Sequence, residues 1–336
     1  MKTGTEERLA AAWYGDTLPP LWARLLEPLY RSVTSLRRGA YRRGWKSAGH
    51  PGVPVIVIGN LTAGGTGKTP LAIWLLRALA DLGRTPALVS RGYGGAEPGE
   101  PHQVAPGDPV VMTGDEPLLI ARQTALPVWV CRDRLAAARA AAAAGADVVV
   151  ADDGLQHYRL QRDFEIVVVD AQRGFGNGRL LPAGPLREPV TRLRGVDAVV
   201  CNGPGPLCPD GSIAMTLAGS EAIRLDDAER RPLAGFREGR VHAVAGIGNP
   251  GRFFRFLEAH GLEVVRHPLP DHAAVPAALL TPGDGRPVLM TSKDAMRCRG
   301  RPGAAAAWEV PVSAELEAGG RVLMERLATR LGMSEA

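Results

Sequence analysis

Residues 62–69, which directly follow an apolar, β-branched stretch, constrain the fold of this chain more than any other segment. They run Thr62-Ala63-Gly64-Gly65-Thr66-Gly67-Lys68-Thr69 and match the pattern G-x-x-x-x-G-K-[ST] except at its first position, where Thr62 replaces glycine. In this pattern, backbone N–H groups of a glycine-rich turn and the N-terminus of the next helix surround the phosphates of a nucleotide. The segment therefore predicts a strand, a phosphate-binding loop and a helix in succession.

The last residues of the loop have separate roles in this chemistry. Lys68 is expected to contact the β- and γ-phosphates of ATP, and the Thr69 hydroxyl to ligate Mg²⁺. Pro70 is tolerated next because the amides of a first helical turn have no partner inside the helix. A glycine-rich turn that binds no nucleotide is the alternative. Here, however, the predicted strand, the Gly-Lys-Thr sequence and the predicted helix follow one another in the order that the pattern requires.

Apolar runs that predict strands alternate with helical stretches over residues 47–205. Strands are predicted at Val53–Gly59, Ala87–Ser90, Val128–Cys131, Asp147–Ala151, Glu165–Asp170 and Asp197–Cys201. Helices are predicted at Pro70–Leu82, Glu116–Ala125 and Arg134–Ala144. Such alternation is typical of the α/β class with a doubly wound parallel sheet, whose sites lie at the carboxyl ends of the strands. Together with the phosphate loop, it predicts a sheet of the P-loop NTPase type.

A second, smaller α/β domain is predicted over residues 239–336. Its predicted elements are Val241–Ala245, Arg252–His260, Val264–Val265, Val288–Thr291 and a final helix from about Ala314. Residues 206–238 combine Pro/Gly turns with weak periodicity, so they are predicted to be a connector.

The positive charge of the chain is concentrated in its first 46 residues. The formal net charge is +5, and residues 1–46 hold nine Lys or Arg against four Asp or Glu, which leaves the remainder neutral. A nucleic-acid-binding protein would usually carry its basic patch on the folded domain, so nucleic acid is not an expected partner. The local charge favours an electrostatic tether instead.

An amphipathic helix is predicted within this basic segment. Apolar residues recur at helical spacing at Leu21, Trp22, Leu25, Leu26, Leu29, Tyr30, Val33 and Leu36. Interleaved arginines and a tryptophan are typical of a helix lying in a membrane interface. The alternative is that the helix packs on its own domain or on a twin subunit, since periodicity does not distinguish protein from lipid. Without a long apolar run or a signal-peptide pattern, neither membrane spanning nor export is expected.

The cysteines indicate a reducing, cytoplasmic setting. Cys131, Cys201, Cys208 and Cys298 lack the paired spacing of a metal site. They are also too few for a disulfide framework.

Two acids end the apolar strand near residue 150. Asp152 and Asp153 follow Val148–Ala151 directly, and polar and basic residues occupy 156–159 just beyond them. An acid at a strand end downstream of a phosphate loop suits a magnesium site, because Mg²⁺ prefers carboxylate oxygens beside the phosphates. Such acids also serve as helix caps, but the polar residues that follow favour a site.

Several segments, taken in order, resemble one family: the tetraacyldisaccharide 4'-kinases of lipid A synthesis. The matching segments are Asn60–Pro70, Ser90–Tyr93, Gly114–Glu116, Asp133–Arg134, Asp152–Leu160, Leu181–Glu188, Gly246–Pro250, Asp271–His272 and Lys293–Asp294. They cover the chain from residue 60 to about 295, and the sequences DDG-x-QH and LPAG-x-LRE are uncommon elsewhere. Leu155 departs from the aromatic residue that is common in the family at its position.

The resemblance implies ATP-dependent phosphorylation of the 4'-hydroxyl of an acylated glucosamine disaccharide 1-phosphate. It also implies a monotopic protein on the cytoplasmic face of the bacterial inner membrane, whose N-terminal helix meets the anionic lipid surface. This agrees with the concentration of charge in residues 1–46.

The resemblance also implies roles for residues outside the loop. Candidate ligands of Mg²⁺ or of its water molecules are Asp152, Asp153 and Glu188. Candidates for phosphate recognition, on ATP or on the lipid, are Arg91, Arg134 and Arg187. Candidates for sugar contact are Tyr93, Gln156 and His157. The planar guanidinium suits phosphate oxygens, although a solvated surface position is the alternative for each arginine, and turn packing is the alternative for the sugar candidates.

The catalytic pair that the resemblance indicates is Asp115 with His272. A kinase needs a group that orients the acceptor hydroxyl and takes its proton, and a nearby imidazole positions a carboxylate for this task. The alternative is that Asp115 caps a helix while His272 lies in an exposed turn. The two residues fall in different predicted domains, so the pair requires the domains to approach each other. Asn249 is expected to be a turn residue.

The sequence leaves two alternative functions to compare with the kinase. Thr291–Asp294 is superficially similar to the guanine-binding N/T-K-x-D pattern, but Lys293 and Asp294 are adjacent, which disfavours a GTPase-type switch. The other rival is a soluble small-molecule kinase whose N-terminal helix is only structural.

Overall fold

Two β-sheets with helices packed against their faces form the protein in a computed structural model that describes residues 2–332, with side chains from residue 8 onward. The helices are α1 (Lys2–Tyr14), α2 (Leu21–Arg42), α3 (Lys68–Asp81), α4 (Val110–Thr113), α5 (Asp115–Thr124), α6 (Arg134–Ala143), α7 (Pro250–Ala259), α8 (Ala277–Leu280), α9 (Ser292–Cys298) and α10 (Glu317–Leu331). The strands are β1 (Val55–Gly59), β2 (Pro86–Ser90), β3 (His102–Gln103), β4 (Val128–Val130), β5 (Val148–Asp152), β6 (Phe164–Asp170), β7 (Ala198–Asn202), β8 (Ile213–Ala218), β9 (Glu221–Arg224), β10 (Arg230–Pro232), β11 (Arg240–Ala245), β12 (Glu263–Pro268), β13 (Val288–Thr291), β14 (Trp308–Val310) and β15 (Ser313–Glu315).

The larger sheet has the strand order β15-β8-β7-β6-β1-β5-β2-β4-β3. Its strands from β8 to β4 run parallel, and only the edge strands β15 and β3 are antiparallel. Because successive side chains of a strand point to opposite faces, Ile56 and Ile58 join the core beneath α3, whereas Val55 and Val57 join the core beneath α6. The predicted α/β fold with a large parallel sheet is confirmed.

The smaller sheet has the order β10-β9-β14-β13-β11-β12. Strands β11, β12, β13 and β14 are parallel, and β9 pairs with β14 in the antiparallel sense. Leu289 and Met290, neighbours on β13, enter two separate cores on opposite faces. This sheet is the second α/β unit that the sequence predicts.

The chain crosses between the units twice, which differs from the predicted division. Residues 206–238, expected to be a connector, contain β8 of the larger sheet and β9 and β10 of the smaller one. The last helix, expected in the smaller domain, instead follows β15 back to the larger sheet, where Leu323 and Leu327 are buried in its core. Short edge strands between Pro/Gly turns carry too little periodicity to be detected, and pairing partners of β15 lie far away in the sequence. Met1 and residues 333–336, the outer ends of the predicted N-terminal segment and C-terminal domain, lie outside the described residues.

Helix α2 is the predicted amphipathic helix, and its apolar side faces outward. Its buried side chains are Ala23 and Glu27, and Glu27 accepts a hydrogen bond from the Leu180 backbone N–H (3.1 Å) and pairs with Arg179 (3.1 Å). Large exposed apolar residues of α2 are Leu21, Trp22, Leu25, Leu26, Leu29, Val33 and Leu36. Among residues 2–332, no helix has both the length and the apolar character needed to cross a membrane.

A disulfide joins Cys201 at the end of β7 to Cys208. The sequence analysis expected no such pair, because it judged four cysteines too few for a disulfide framework. The loop after β7 turns back, with the Leu207 N–H donating to the Ala171 carbonyl (3.1 Å), and brings Cys208 to the strand end. Cys131 and Cys298 are buried thiols.

Candidate active site

The phosphate loop lies between β1 and α3, as the sequence predicts. Gly67 has φ of +95°, and a β-carbon there would overlap the Asn202 side-chain amide, so glycine is required at this position. Asn202 Nδ2 donates to the Thr66 carbonyl (2.8 Å) and Asn60 Nδ2 to the Gly64 carbonyl (3.0 Å), which holds the loop open toward solvent. These two asparagines are site residues that the sequence analysis did not identify.

The non-glycine start of the loop has a structural reason. Thr62 forms a β-bridge with Leu186, and the Ala63 N–H donates to the Pro185 carbonyl (2.7 Å). Thr62 is not among the residues with positive φ, so a side chain is accommodated there. The segment 181–188 thus supports the first residues of the loop through backbone hydrogen bonds.

Lys68 begins α3 and is neutralised by Asp153. Its Nζ lies 3.4 Å from Asp153 Oδ1 and 3.2 Å from Asn60 Oδ1. Arg187 pairs with the same carboxylate (3.1 Å), and Arg134 donates to the Asp153 carbonyl (3.1 Å). Burial alone would raise the pKa of Asp153, but Lys68, Arg187 and Arg134 together hold it well below its usual range.

Asp152, the last residue of β5, presents an unpaired carboxylate. It is 1% exposed, and its Oδ1 has no hydrogen-bond partner within residues 8–332. Burial, and then the charge of Glu116, raise the pKa of Asp152 to about 7, against the opposing effect of Lys68. Glu116 is a further site residue that the sequence analysis quoted in a motif without giving it a role.

These residues fit a magnesium ion that binds together with nucleotide phosphates. The described residues hold no cluster of three or more His, Cys, Asp or Glu side chains that could bind a metal by themselves. Mg²⁺ seldom needs one, because it usually takes one or two carboxylates, water and phosphate oxygens. The unpaired oxygen of Asp152, with Glu116 and the Thr69 hydroxyl on the phosphate loop, supplies the required oxygen donors.

Glu188, a predicted metal ligand, lies beside a buried arginine. It is 4% exposed and lies 3.4 Å from the Nε of Arg192, which also binds Glu165. Both carboxylate oxygens of Glu188 are buried and have no hydrogen-bond partner within residues 8–332. The preceding residue, Arg187, pairs with Asp153 (3.1 Å).

Asp115 and His272 meet across the two units, as the sequence analysis expected. Asp115 Oδ2 lies 3.1 Å from His272 Nδ1 and 3.4 Å from Arg297 Nε. Asp115 is 2% exposed and occupies the first turn of α5, whose N-cap is Gly114. His272 has φ of +60°, an uncommon backbone conformation for a residue with a side chain, and the ring of Tyr93 stands edge-on to it at 5.2 Å.

The contact between Asp115 and His272 changes the pKa of each residue. The hydrogen bond to Asp115 raises the pKa of His272. Burial alone would raise the pKa of Asp115, but the bond from His272 and the charge of Lys293 lower it. Each shift favours the charged form of its group, the imidazolium of His272 and the carboxylate of Asp115.

The remaining predicted substrate residues are divided between two places. Arg134 and Arg187 adjoin Asp153, and Gln156 donates to the Asn60 carbonyl (3.3 Å), so all three border the phosphate loop. Arg91 lies apart, paired with Glu97 (3.0 Å).

His157 and Leu155 complete this region. His157 lies 3.8 Å from Asp133, and burial together with Arg134 lowers its pKa to about 4. Leu155 is fully buried and packs against Gly59, so its departure from the family pattern affects core packing.

A cavity of about 540 Å³ opens between the two units over the phosphate loop. The first unit contributes residues 65–70 and Glu116, and the second contributes Ile247, Gly248, Asn249, Arg252, Phe256 and Lys293. Asn249, expected to be a turn residue, also donates to Asp170 Oδ2 across the units (2.9 Å). The sequence analysis did not predict that residues of the second unit line this cavity, because periodicity along the chain does not show how the two units pack.

Comparisons with known proteins agree on one family. The model of the family described as tetraacyldisaccharide-1-P 4'-kinase (LpxK) matches residues 21–331. The tetraacyldisaccharide 4'-kinase of Xanthomonas euvesicatoria pv. vesicatoria (strain 85-10) is 49% identical over 99% of both chains. That of Stenotrophomonas maltophilia (strain R551-3) is 52% identical over 91% of this chain and 92% of its own. A crystal structure of LpxK from Aquifex aeolicus in complex with ATP superimposes with a TM-score of 0.74 at 28% identity, covering 91% of this chain and 97% of that one.

We expect His272 to titrate above the ordinary histidine pKa of about 6.5, because Asp115 stabilises the imidazolium. Asp115→Asn should return the pKa toward or below that value, as followed by NMR of the ring nitrogens. Asp271→Asn, which alters an exposed carboxylate 3.7 Å from Nε2, is the matched control and should change it less. An identical titration in wild type and Asp115→Asn would show that the contact is not made in solution.

The same shifts fix the sign of the pH dependence of stability. The raised pKa of His272 stabilises the fold fully below about pH 6.5, and this stabilisation is lost as pH rises through the raised value. The lowered pKa of Asp115 stabilises the fold above its ordinary value, and this part is lost as pH falls through the lowered one. Asp115→Asn should therefore flatten the unfolding free energy across this window.

Proposed function

Because the chain belongs to the tetraacyldisaccharide-1-P 4'-kinase family, we propose that the cavity between its two units is where the family's reaction takes place. The chain catalyses ATP-dependent phosphorylation of the 4'-hydroxyl of an acylated glucosamine disaccharide 1-phosphate, a step of lipid A biosynthesis. One observation supports the location of the site: the phosphate loop lines the cavity together with Glu116 and Lys293, which pair across the units, and Asp115, the residue before Glu116, contacts His272 of the second unit.

Residues 62–69 bind the phosphates of ATP. In the free protein Lys68 is paired with Asp153, so the entry of the nucleotide exchanges a carboxylate partner for phosphate oxygens without exposing the ammonium. Backbone N–H groups of the loop and of the first turn of α3 surround the rest of the phosphate chain.

Thr69, Asp152 and Glu116 would hold Mg²⁺ with the nucleotide. When bound, the ion would supply neutralisation of charge on the phosphoryl oxygens. Asp152 suits this role since its buried oxygen has no hydrogen-bond partner within residues 8–332. Glu188, whose two buried oxygens also lack a partner there, remains a candidate ligand, and Asp153 positions Lys68 and Arg187.

Asp115 takes the proton of the acceptor hydroxyl. His272 and Arg297 hold its carboxylate from the second unit and balance its charge while the hydroxyl oxygen attacks. Since Asp115 and His272 come from different units, the general base is complete only when the units are in contact.

The disaccharide reaches this pair from the open side marked by Tyr93, which is exposed and borders His272. Arg134 and Arg187 contact phosphate oxygens near Asp153, and Gln156 and His157 lie beside the sugar. Arg91, released from Glu97, contacts the phosphate at the other end of the lipid.

Helix α2 places the protein on the cytoplasmic face of the inner membrane. Its buried residue Glu27 faces the protein while its leucines and Trp22 face outward, so packing on its own domain does not explain the apolar side. Basic residues in the same segment attract anionic headgroups.

The function is tested by incubating the protein with labelled ATP and the acylated disaccharide 1-phosphate, with and without Mg²⁺. Label should enter the lipid only with Mg²⁺, and Lys68→Ala should lower kcat by at least roughly 10²–10³-fold, the scale for a lost cation at developing phosphoryl charge. Arg240→Ala, at an exposed ion pair far along the smaller sheet, is the control. Full turnover by a folded Lys68→Ala protein would refute the role of the loop.

The general base is tested by Asp115→Asn and His272→Ala. Each should lower kcat by roughly 10²–10⁴-fold while ATP affinity changes little. The double variant should lose much less than the product of the two effects, because coupled residues are not additive. Strictly multiplicative losses, with Asp271→Asn as the neighbouring control, would assign the two residues independent roles.

Membrane association is tested by flotation with anionic vesicles. Binding should weaken with added salt, because each basic residue near the surface contributes about 1 kcal/mol. Leu25→Ser with Leu29→Ser should weaken it further, whereas Leu82→Ser, at an exposed leucine outside the segment, should not. Flotation that responds to neither change would leave α2 a structural helix only.

A further inference from the structure

Lys293 is a cation of the cavity that the reaction described above does not use. It lies in the first turn of α9, in the second unit, and its Nζ pairs with Oε1 of Glu116 in the first unit. It lines the same cavity as Lys68 and the rest of the phosphate loop. Both ammonium groups act on one carboxylate: burial alone would raise the pKa of Glu116, but Lys293 and then Lys68 lower it.

The backbone around Lys293 is fixed, so its side chain is the part that is free to change partner. The Thr291 hydroxyl caps α9 by accepting from the Asp294 N–H (3.2 Å). Asp294 is fully buried and accepts from the Gly246 N–H (3.0 Å) and from Arg297 (3.1 Å). These bonds fasten both flanks of the residue to the carboxyl end of the smaller sheet.

The choice of lysine is itself informative in this chain. Only four of its 40 Lys and Arg residues are lysine, and two of the four, Lys2 and Lys46, fall in the N-terminal segment. The other two, Lys68 and Lys293, line the cavity. An ion pair that only joined the two units would suit arginine, whose planar fork holds a carboxylate with two bonds. A compact ammonium on a flexible stem suits a cation that exchanges one oxygen partner for another.

We propose that Lys293 is a catalytic residue, which leaves Glu116 when Mg-ATP enters and contacts the γ-phosphoryl oxygens from the unit opposite Lys68. This inference rests on the proposed function of the cavity. During transfer, the bond from the γ-phosphorus to the bridging oxygen of ADP breaks as the bond to the 4'-oxygen forms. The hydroxyl proton passes to the Asp115–His272 pair, and Lys293 keeps its own proton while it offsets the charge that spreads over the equatorial oxygens.

The role explains why the second unit is needed for more than the general base. When Lys293 turns to phosphate, the carboxylate of Glu116 loses its cationic partner and would be available to hold Mg²⁺. Burial alone would lower the pKa of Lys293, but the charges of Glu116 and Asp115 raise it, which keeps the ammonium charged before the nucleotide arrives.

The test compares Lys293→Met, Lys293→Arg, Glu116→Gln and the double variant Lys293→Met/Glu116→Gln in the full chain. Lys293→Met should lower kcat by roughly 10²–10³-fold and weaken ATP binding while ADP binding, measured by competition with a fluorescent ADP analogue, stays unchanged. Lys293→Arg should recover part of kcat. The double variant removes the unpaired carboxylate that would otherwise destabilise Lys293→Met, so a folded protein is available in either case.

The cycle separates a catalytic cation from a counterion. If Lys293 only neutralises Glu116, the double variant will have the same kcat as Glu116→Gln alone, and the proposal is overturned. Equal weakening of ATP and ADP by Lys293→Met overturns it too, since contact with the γ-phosphoryl group predicts a selective effect. Failure of the proposed function itself gives a different pattern, in which Lys68→Ala retains turnover whatever Lys293 does.

Discussion

The buried carboxylate of Asp170, at the carboxyl end of β6, joins the two units directly above the phosphate loop. It accepts a hydrogen bond from Asn249 Nδ2 (2.9 Å) and pairs with Arg252, both on the second unit, and it is 2% exposed. Beside it, Arg173 donates to the Gly248 carbonyl (2.5 Å), and Gly248 in turn lies against the glycines of the loop. Removing such a charge would leave its cationic partner buried and unpaired, which is strongly unfavourable. Together with the direct packing of α9 on α5, this junction holds the second unit where Asp115 contacts His272 and Glu116 contacts Lys293.

The site is rich in carboxylates from one unit and in cations from both. Asp153 is neutralised by Lys68 and Arg187 from its own unit, whereas Glu116 is neutralised by Lys293 from the other. Asp152 has an unpaired oxygen and a pKa raised to about 7, so an added cation would stabilise its buried carboxylate. The free protein thus keeps its phosphate-binding cations bound to carboxylates, and a nucleotide with its metal replaces those partners with others of the same sign.

The parts of the structure that local sequence determines could be predicted, and those that depend on distant packing could not. The phosphate loop, its strand and its helix follow from the Gly-Lys-Thr pattern and the apolar run before it, and the structure has them in register. The position of Glu188 beside the buried Arg192 could not be predicted, because a motif gives order along the chain but not the three-dimensional neighbours of a side chain. The return of β15 and α10 to the larger sheet was missed for a related reason: Leu323 shows helical spacing but does not reveal which core it enters. The pairing of Asp115 with His272 was expected only through family resemblance, since no local pattern links the two residues.

The two crossings between the units are short and lie side by side. Gly219, between β8 and β9, is so close to the second crossing that a β-carbon there would lie 2.5 Å from the Pro311 carbonyl oxygen. Two adjacent crossings of backbone favour bending about the line through them over sliding of one unit past the other. Because the crossings meet at Gly219, a residue with a β-carbon would force them apart and alter the alignment of the units.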